Sequence, residues 1–220
     1  MTAAARSLRA AVVLASLCAC DETPQPSPPG PARAAIEIAG GARITREELT
    51  AFDAYYDGLD PTIGLRHRRA VLLERHLLPL ALARAAFPAL REQALAKARE
   101  LASVSGNALA LQRAGGEVLG PIARAALPVP LAAWARDQSV IGAVSPILET
   151  PEAVLVVALL EHHPGFTPVG DELVFHVVRF PAHDQQDFAA WLQDERLRRK
   201  GGLVHCDQDV LPALPTWLAP

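Results

Sequence analysis

The stretch that most constrains the fold runs from residue 115 to residue 161, GGEVLGPIARAALPVPLAAWARDQSVIGAVSPILETPEAVLVVALLE. It begins with a Gly-Gly pair and an apolar segment. A short helical piece, LAAWARDQ, follows, and two apolar runs lie on either side of Thr150-Pro151. Short apolar runs bounded by glycine and proline predict strands, and the alanine-rich piece between them predicts a helix. The order turn, strand, helix, strand, tight turn, strand predicts a small sheet with a helix packed on it.

The composition favours helices elsewhere in the chain. Half of the 220 residues are hydrophobic but only 5% are aromatic, and a chain dominated by Ala and Leu favours helices over an all-β fold. The formal net charge is −3, and no basic stretch is interleaved with aromatic residues, so nucleic acid is not expected as a partner. The length allows one sizeable core or two small domains.

Residues 1–19 have the pattern of a secretory signal, with Arg6 and Arg9 before an apolar run that is too short for a permanent membrane span. The run ends in Leu-Cys-Ala-Cys, which resembles the bacterial lipoprotein signal. This resemblance implies cleavage before Cys20 and lipid attachment to its sulfur, which would anchor the protein stably. The alternative is an ordinary signal peptide with an incidental cysteine. Asp21 resembles the signal that retains some lipoproteins on the inner membrane, so we expect a periplasm-facing protein of the bacterial cell envelope.

Residues 20–33 are predicted to be a proline-rich tether. Five prolines in DETPQPSPPGP favour extended polyproline II, which acts as a semi-rigid spacer.

Residues 35–45 alternate isoleucines around Gly-Gly and predict a short strand or hairpin. Thr45 and Glu48 have the spacing of a capping box at the start of a helix. A longer helix follows, with an apolar stripe formed by Val71, Leu72, Leu78 and Leu82. Pro79 is expected to kink or divide this helix, and Pro88 to begin the next one.

The C-terminal third predicts a strand, a helix and a second strand. Residues 172–180 are mostly apolar on both faces, which is typical of a strand buried on both sides. Residues 187–200 predict an amphipathic helix that places Phe188, Trp191 and Leu192 on one side. Residues 203–206 predict the short second strand.

Parts of the chain resemble two related families. The glycine turn at 115–120, Leu127-Pro128 before a helix, Gly-Ala-Val-Ser-Pro at 142–146 and the Thr-Pro turn at 150–151 resemble the second half of a parvulin-type peptidyl-prolyl isomerase domain. The strand, cap and helices of residues 35–85 resemble the start of the SurA-type chaperone domain.

The resemblance implies an α+β fold with two domains. A SurA-like helical domain would span residues 34–105 and be completed by residues 183–215, and a reduced parvulin-like domain would span residues 106–182. Because the C-terminal segment of SurA-like proteins returns to the N-terminal domain, the strand at 203–206 is expected to pair with residues 35–38.

The chain departs from the parvulin pattern at the two histidine positions on which the family's activity depends. A strand bearing a His precedes the helices of parvulins, and no such strand fits between residues 86 and 93. We expect residues 172–180 to take its place, like a circular permutation, in a sheet with segments 117–122, 143–149 and 153–160. The family's other His falls at Leu155, which can neither donate nor accept a hydrogen bond. His176 is then the remaining catalytic candidate, and isomerase activity is expected to be weak or lost.

The resemblance implies a membrane-anchored folding factor that binds unfolded or proline-containing polypeptides. A non-catalytic scaffold for one fixed envelope partner and an active isomerase are the alternatives. No metal or small-molecule cofactor is expected. The adjacent His162 and His163 should point apart, and no glycine-rich phosphate loop follows a strand. Cys206 is expected to be a small buried hydrophobe and not a nucleophile.

Overall fold

The computed structural model of the chain describes residues 33–59, 62–136, 138, 140–167 and 170–218. The predictions of a signal peptide at 1–19, of lipid attachment at Cys20 and of nearly all of the tether at 20–33 lie outside these residues.

Helices and two small antiparallel sheets make up the described part of the chain, as the α+β prediction required. In chain order the elements are β1 (Ala34–Ile38), β2 (Ala42–Thr45), α1 (Arg46–Thr50), α2 (Asp53–Leu59), α3 (Leu65–Leu72), a π-helical turn (Leu73–Leu77), α4 (Leu78–Ala86), α5 (Pro88–Val104), α6 (Ala108–Arg113), β3 (Glu117–Ala123), a 3-10 turn (Arg124–Ala126), α7 (Val129–Arg136), β4 (Leu148–Glu149), β5 (Ala153–His163), β6 (Glu172–Pro181), α8 (Phe188–Arg198), β7 (Leu203–Cys206) and a 3-10 turn (Leu211–Ala213).

The smaller sheet has the strand order β2-β1-β7. Strands β1 and β2 form the expected hairpin, in which Gly40 and Gly41 both adopt positive φ. Strand β7 pairs antiparallel with β1, with Cys206 opposite Ile36. This confirms the expected return of the C-terminal segment to residues 35–38. The sheet joins a core that includes Ile36, the helix α4 residues Leu78 and Leu82, and Leu218 near the C-terminus.

The capping and proline signals act where the sequence places them. Thr45 caps α1, its hydroxyl accepts from the Glu48 N–H, and the Glu48 carboxylate accepts from the Thr45 N–H, which is the predicted capping box. Pro88 is the first residue of α5. The long helix is divided as expected near Pro79, but the irregularity is a π-helical turn at Leu73–Leu77, one residue before α4 begins.

The larger sheet has the strand order β3-β6-β5-β4. Strand β6 therefore lies inside the sheet between β3 and β5, so the prediction that residues 172–180 join it is confirmed. The expected strand at 143–149 is shorter: only Leu148–Glu149 is a strand, with a single bridge from Val144 to Ala158. The reason is local, because Pro146 has no N–H and the Ser145 hydroxyl replaces a backbone acceptor for the Val157 N–H at 3.0 Å.

The two faces of this sheet are covered differently. We call the face that contains Val154, Val156, Ala158 and His176 the closed face. Helices α5 and α6 cover it, and it forms one core cluster with Ala94, Ala98 and Leu111. Helix α5, which the sequence assigned to the N-terminal helical domain, thus packs on this sheet.

We call the opposite face, with Leu155, Val157, Phe175 and Arg179, the cavity face. It packs against α7 and Tyr55 of α2.

Candidate functional site

A cavity of about 1070 Å³ opens between the helical part of the protein and the end of the cavity face. Its lining combines aromatic, aliphatic and proline residues with Thr150 and five charged side chains. The helical side contributes Tyr55, Tyr56, Val71, Glu74, Arg75, Pro79, Phe188, Ala189, Leu192 and Arg196; the sheet side contributes Ala125–Val129, Thr150–Ala153, Leu155 and Arg179.

The Thr150-Pro151 turn forms the sheet-side rim. An arginine of α5, the helix that covers the closed face, donates hydrogen bonds to this turn. Arg91 of α5, 3% exposed, donates to the carbonyls of Thr150 and Pro151 at 2.8 and 2.9 Å. The Thr150 hydroxyl accepts from the Ala153 N–H at 3.1 Å and lies 2.9 Å from the Ala153 carbonyl, to which it donates. The rim is thus fixed by hydrogen bonds to buried groups, which preorganises the cavity.

A carboxylate next to the rim completes this anchor. Glu149 accepts from Arg84 at 3.1 and 3.2 Å and from Arg91 at 3.4 Å. Burial alone would raise the pKa of Glu149, but the two guanidinium groups outweigh it and hold this pKa below its ordinary value. Arg84 also pairs with Glu48 of the α1 capping box, so the rim is tied to the N-terminal helices.

The π-helical turn shapes the helical side. Its wide register bonds the Leu78 N–H to the carbonyl of Leu73, five residues back. In that register residue 79 would donate its N–H to the Glu74 carbonyl, but Pro79 has no N–H. Arg196 of α8 donates to this carbonyl instead, at 3.1 Å. The turn places Glu74 and Arg75 at the cavity, while His76 is buried in the helical core, where it makes an edge contact with Phe52.

Aromatic rings supply much of the apolar wall. Tyr55 and Tyr56 meet edge to face with their centroids 5.2 Å apart. Burial raises the pKa of Tyr56 to about 12, so its hydroxyl is a neutral donor and acceptor at physiological pH. Phe188 also lines the helical side, and its ring centroid lies 5.0 Å from that of Trp191 and 4.7 Å from that of His183.

Of the two positions that the sequence singled out for catalysis, only one lies at the cavity. Leu155 lines it, directly opposite Arg179 on the neighbouring strand. His176 lies on the closed face, is 5% exposed, and its Nε2 donates to the Gly115 carbonyl at 2.8 Å. The structure therefore does not bring His176 to Leu155, and it gives His176 a structural contact with the Gly115-Gly116 turn.

The other polar candidates have ordinary partners. His162 contacts Asp171 at 3.1 Å and His163 contacts Glu161 at 3.0 Å, so the adjacent rings point to different neighbours, as expected. Burial and the nearby aspartates raise the pKa of the Cys206 thiol to about 11, which disfavours the nucleophilic thiolate. Among the described residues no group of three or more His, Cys, Asp or Glu side chains is placed to hold a metal ion.

The lining supports binding more than acid-base or nucleophilic chemistry. Among the described residues that line the cavity there is neither a histidine nor a cysteine, and its charged groups are Glu74, Arg75, Glu152, Arg179 and Arg196. Sequence reasoning missed Arg179. The strand alternation places it on one face with Phe175 and Val177, but the register that sets it beside Leu155 depends on strand pairing over distant residues.

Comparison with protein-family models, with curated proteins and with solved structures finds no match for this chain. Within the part of the chain that the structure describes, no helix is both long enough and apolar enough to cross a membrane.

Proposed function

We propose that this protein is a membrane-anchored envelope folding factor of the SurA and parvulin type, which binds unfolded or proline-containing polypeptides in the cavity beside Leu155. Its isomerase activity is weak or lost. The observation that carries the proposal is a roughly 1070 Å³ cavity at the position where the sequence resemblance puts the parvulin site. SurA-like helices and a reduced parvulin-like domain, built around residues 34–105 and 106–182, are the finer fold that this proposal assumes.

The size and lining of the cavity favour a polypeptide ligand. Cavities for small molecules usually enclose about 300–1,000 Å³, so this one, at about 1070 Å³, lies just above that range, and its sheet-side rim is held by hydrogen bonds. Aromatic rings such as Tyr55 and Phe188 offer large apolar area without a strict geometric demand. A surface of this kind suits extended segments of varied sequence better than one compact metabolite.

The same lining argues against strong catalysis. Rotation about a peptide bond has a barrier of about 18–20 kcal/mol, and an isomerase lowers it with polar groups placed around the twisted amide. At the position of the family His this chain has Leu155, and His176 is buried on the other face. The cavity can hold a proline-containing segment, but its lining among the described residues does not include the paired His groups that the family uses.

The proposal includes the N-terminal anchor. Cys20, acylated after removal of residues 1–19, would hold the folded part on the periplasmic face of the membrane through the proline-rich tether, with the inner membrane favoured by Asp21. Metabolic labelling with palmitate tests this directly. Label should enter the wild-type protein and be absent from Cys20→Ser; equal labelling of both would refute the anchor.

The binding proposal is tested by filling the cavity from its exposed side. Ala189 and Ala190 are neighbours on α8 and both are exposed, but only Ala189 lines the cavity. Ala189→Trp should weaken binding of an unfolded, proline-containing client peptide at least about tenfold, a loss of roughly 1.4 kcal/mol. Ala190→Trp, the matched control, should bind as the wild type does. Fluorescence anisotropy of a labelled peptide measures both.

The outcome also separates the alternatives. Suppression of aggregation for several unrelated unfolded clients indicates a general folding factor, whereas an effect on none of them indicates a scaffold for one fixed partner. A clear acceleration of prolyl isomerisation that is lost in Ala189→Trp would instead establish an active isomerase. Equal peptide binding by Ala189→Trp and Ala190→Trp would remove the cavity from the function.

A further inference from the structure

The cavity is lined by more arginines than glutamates, and nearby carboxylates neutralise these arginines only weakly. Three arginines, Arg75, Arg179 and Arg196, reach it from three different elements, against two glutamates, Glu74 and Glu152. Buried arginines outside the lining have acidic partners: Arg91 pairs with Glu149 and Arg124 with Asp171 at 2.8 Å. Among the residues that the structure describes, the arginines of the cavity have no acidic partner as close as that of Arg124.

Arg179 is the most central of the three. It lies directly opposite Leu155 in the β5–β6 pairing, so its side chain leaves the sheet on the cavity face. Its ionic contact is Glu117 at 3.6 Å, and the two side chains are 49% and 62% exposed. An exposed pair of this length contributes little, so a ligand can replace Glu117 at small cost.

The other two arginines extend the positive potential along the helical wall. Arg75 forms no hydrogen bond or ion pair with the part of the chain that the structure describes, and its positive charge acts on the hydroxyl of neighbouring Tyr56. Arg196 donates one Nη2 bond to the Glu74 carbonyl, while its buried Nε has no partner among the described residues. Arg75 therefore retains its donors for a bound anion, whereas the Nε of Arg196 is buried away from solvent.

We infer that the cavity selects polypeptide segments that carry a carboxylate, with Arg179 as its principal partner beside the apolar surface of Leu155. This inference rests on the proposed function. The guanidinium group matches a carboxylate through two parallel N–H donors, and such charge-assisted bonds are stronger than neutral ones. The carboxylate could come from an Asp or Glu side chain or from the free C-terminus of the bound chain.

The test uses the full chain and three labelled peptides that share one apolar, proline-containing sequence. The first is uncharged and amidated at its C-terminus, the second has one internal aspartate, and the third is uncharged with a free C-terminal carboxylate. At least one carboxylate peptide should bind about tenfold more tightly than the uncharged peptide. The identity of the preferred peptide tells whether the side chain or the terminus is recognised.

Variants locate the effect. Arg179→Gln should abolish the preference, so that the carboxylate peptides and the uncharged peptide bind this variant with equal affinity. Arg113→Gln, at an exposed arginine of α6 outside the cavity lining, should keep the full preference.

Equal affinity of the wild type for all three peptides overturns the inference and leaves the binding function intact. If none of the peptides binds, the proposed function fails and the inference with it. A preference that persists in Arg179→Gln overturns the assignment of this residue.

Discussion

Neighbouring residues of β5 and β6 lie on opposite faces of the four-stranded sheet, and the two faces have different surroundings. On the closed face Val154, Val156 and His176 lie under α5 and α6, and the Nε2 atom of His176 donates within the protein, to the Gly115 carbonyl. On the cavity face the same two strands present Leu155, which packs in a core cluster with α7 and is 5% exposed, and Arg179, which is exposed at the cavity. The side chains under α5 and α6 are therefore core, whereas the end of the cavity face combines a buried leucine with an exposed arginine at the cavity.

The helical wall repeats this pattern. Glu74 and Arg75 border the cavity, and the next residue, His76, is only 4% exposed in the helical core. Consecutive residues of this turn thus line the cavity, at Glu74 and Arg75, and pack in the core beneath it, at His76. Neighbouring residues can therefore be compared directly, because their sequence context is nearly the same.

The largest effect is expected from one substitution made on both faces. Val156→Asp puts a carboxylate at a position that is 0% exposed beneath α5 and should lower the free energy of unfolding by about 4 kcal/mol or more. Leu155 is itself only 5% exposed, but it lines the cavity opposite Arg179, so the carboxylate of Leu155→Asp lies beside a guanidinium. A loss of about 2 kcal/mol is expected there.

Urea unfolding monitored by circular dichroism compares the two variants. The wild-type protein supplies the reference slope and midpoint. Equal losses at positions 155 and 156 would mean that the two faces are equally closed, which would contradict the comparison.

A smaller effect is expected from the acid titration of His76. Burial, together with the positive charges of Arg84 and Arg91, lowers the pKa of His76 from 6.5 to about 4, although Glu149 opposes the shift. Between these pH values the unfolded chain binds more protons than the folded one, so stability falls as the pH falls. The neutral, buried His76 therefore contributes about 3 kcal/mol to the free energy of unfolding; this contribution is fully present above pH 6.5 and is lost as the pH falls towards 4.

The measurement is the free energy of unfolding of wild type and His76→Gln at about pH 7 and about pH 4. The wild type should lose roughly 3 kcal/mol more than His76→Gln over this range, because the other titrating groups cancel in the difference. His163→Gln, at a side chain 56% exposed, serves as the control and should follow the wild type. Parallel pH curves for wild type and His76→Gln would show that His76 is accessible to water when folded.

The smallest of these effects is expected at His176, and it separates stability from binding. His176→Ala removes the bond to the Gly115 carbonyl and leaves space on the closed face, which should cost about 2 kcal/mol of unfolding free energy. Client-peptide affinity should stay within about twofold of wild type, because His176 does not line the cavity. A large loss of binding with unchanged stability would return His176 to the functional site.

The sequence by itself determined most of the local structure. The capping box at Thr45, the hairpin at Gly40-Gly41, the helix start at Pro88 and the buried strand at 172–180 depend on interactions within a few residues or on a period of two, so their signals are visible in the chain. The pairing of residues 203–206 with 35–38 was anticipated from a family resemblance, and the structure contains it.

Only the tertiary structure decided where those elements meet. Strand pairing sets Arg179 beside Leu155 and His176 beside Ala158, and no local pattern specifies that register. Likewise Arg91 holds the Thr150-Pro151 rim across 59 and 60 residues of chain, and the π turn near Pro79 turns Glu74 and Arg75 to the cavity. The site is made of such long-range juxtapositions. The sequence could therefore name the residue at position 155 but could not identify the arginine that stands opposite it.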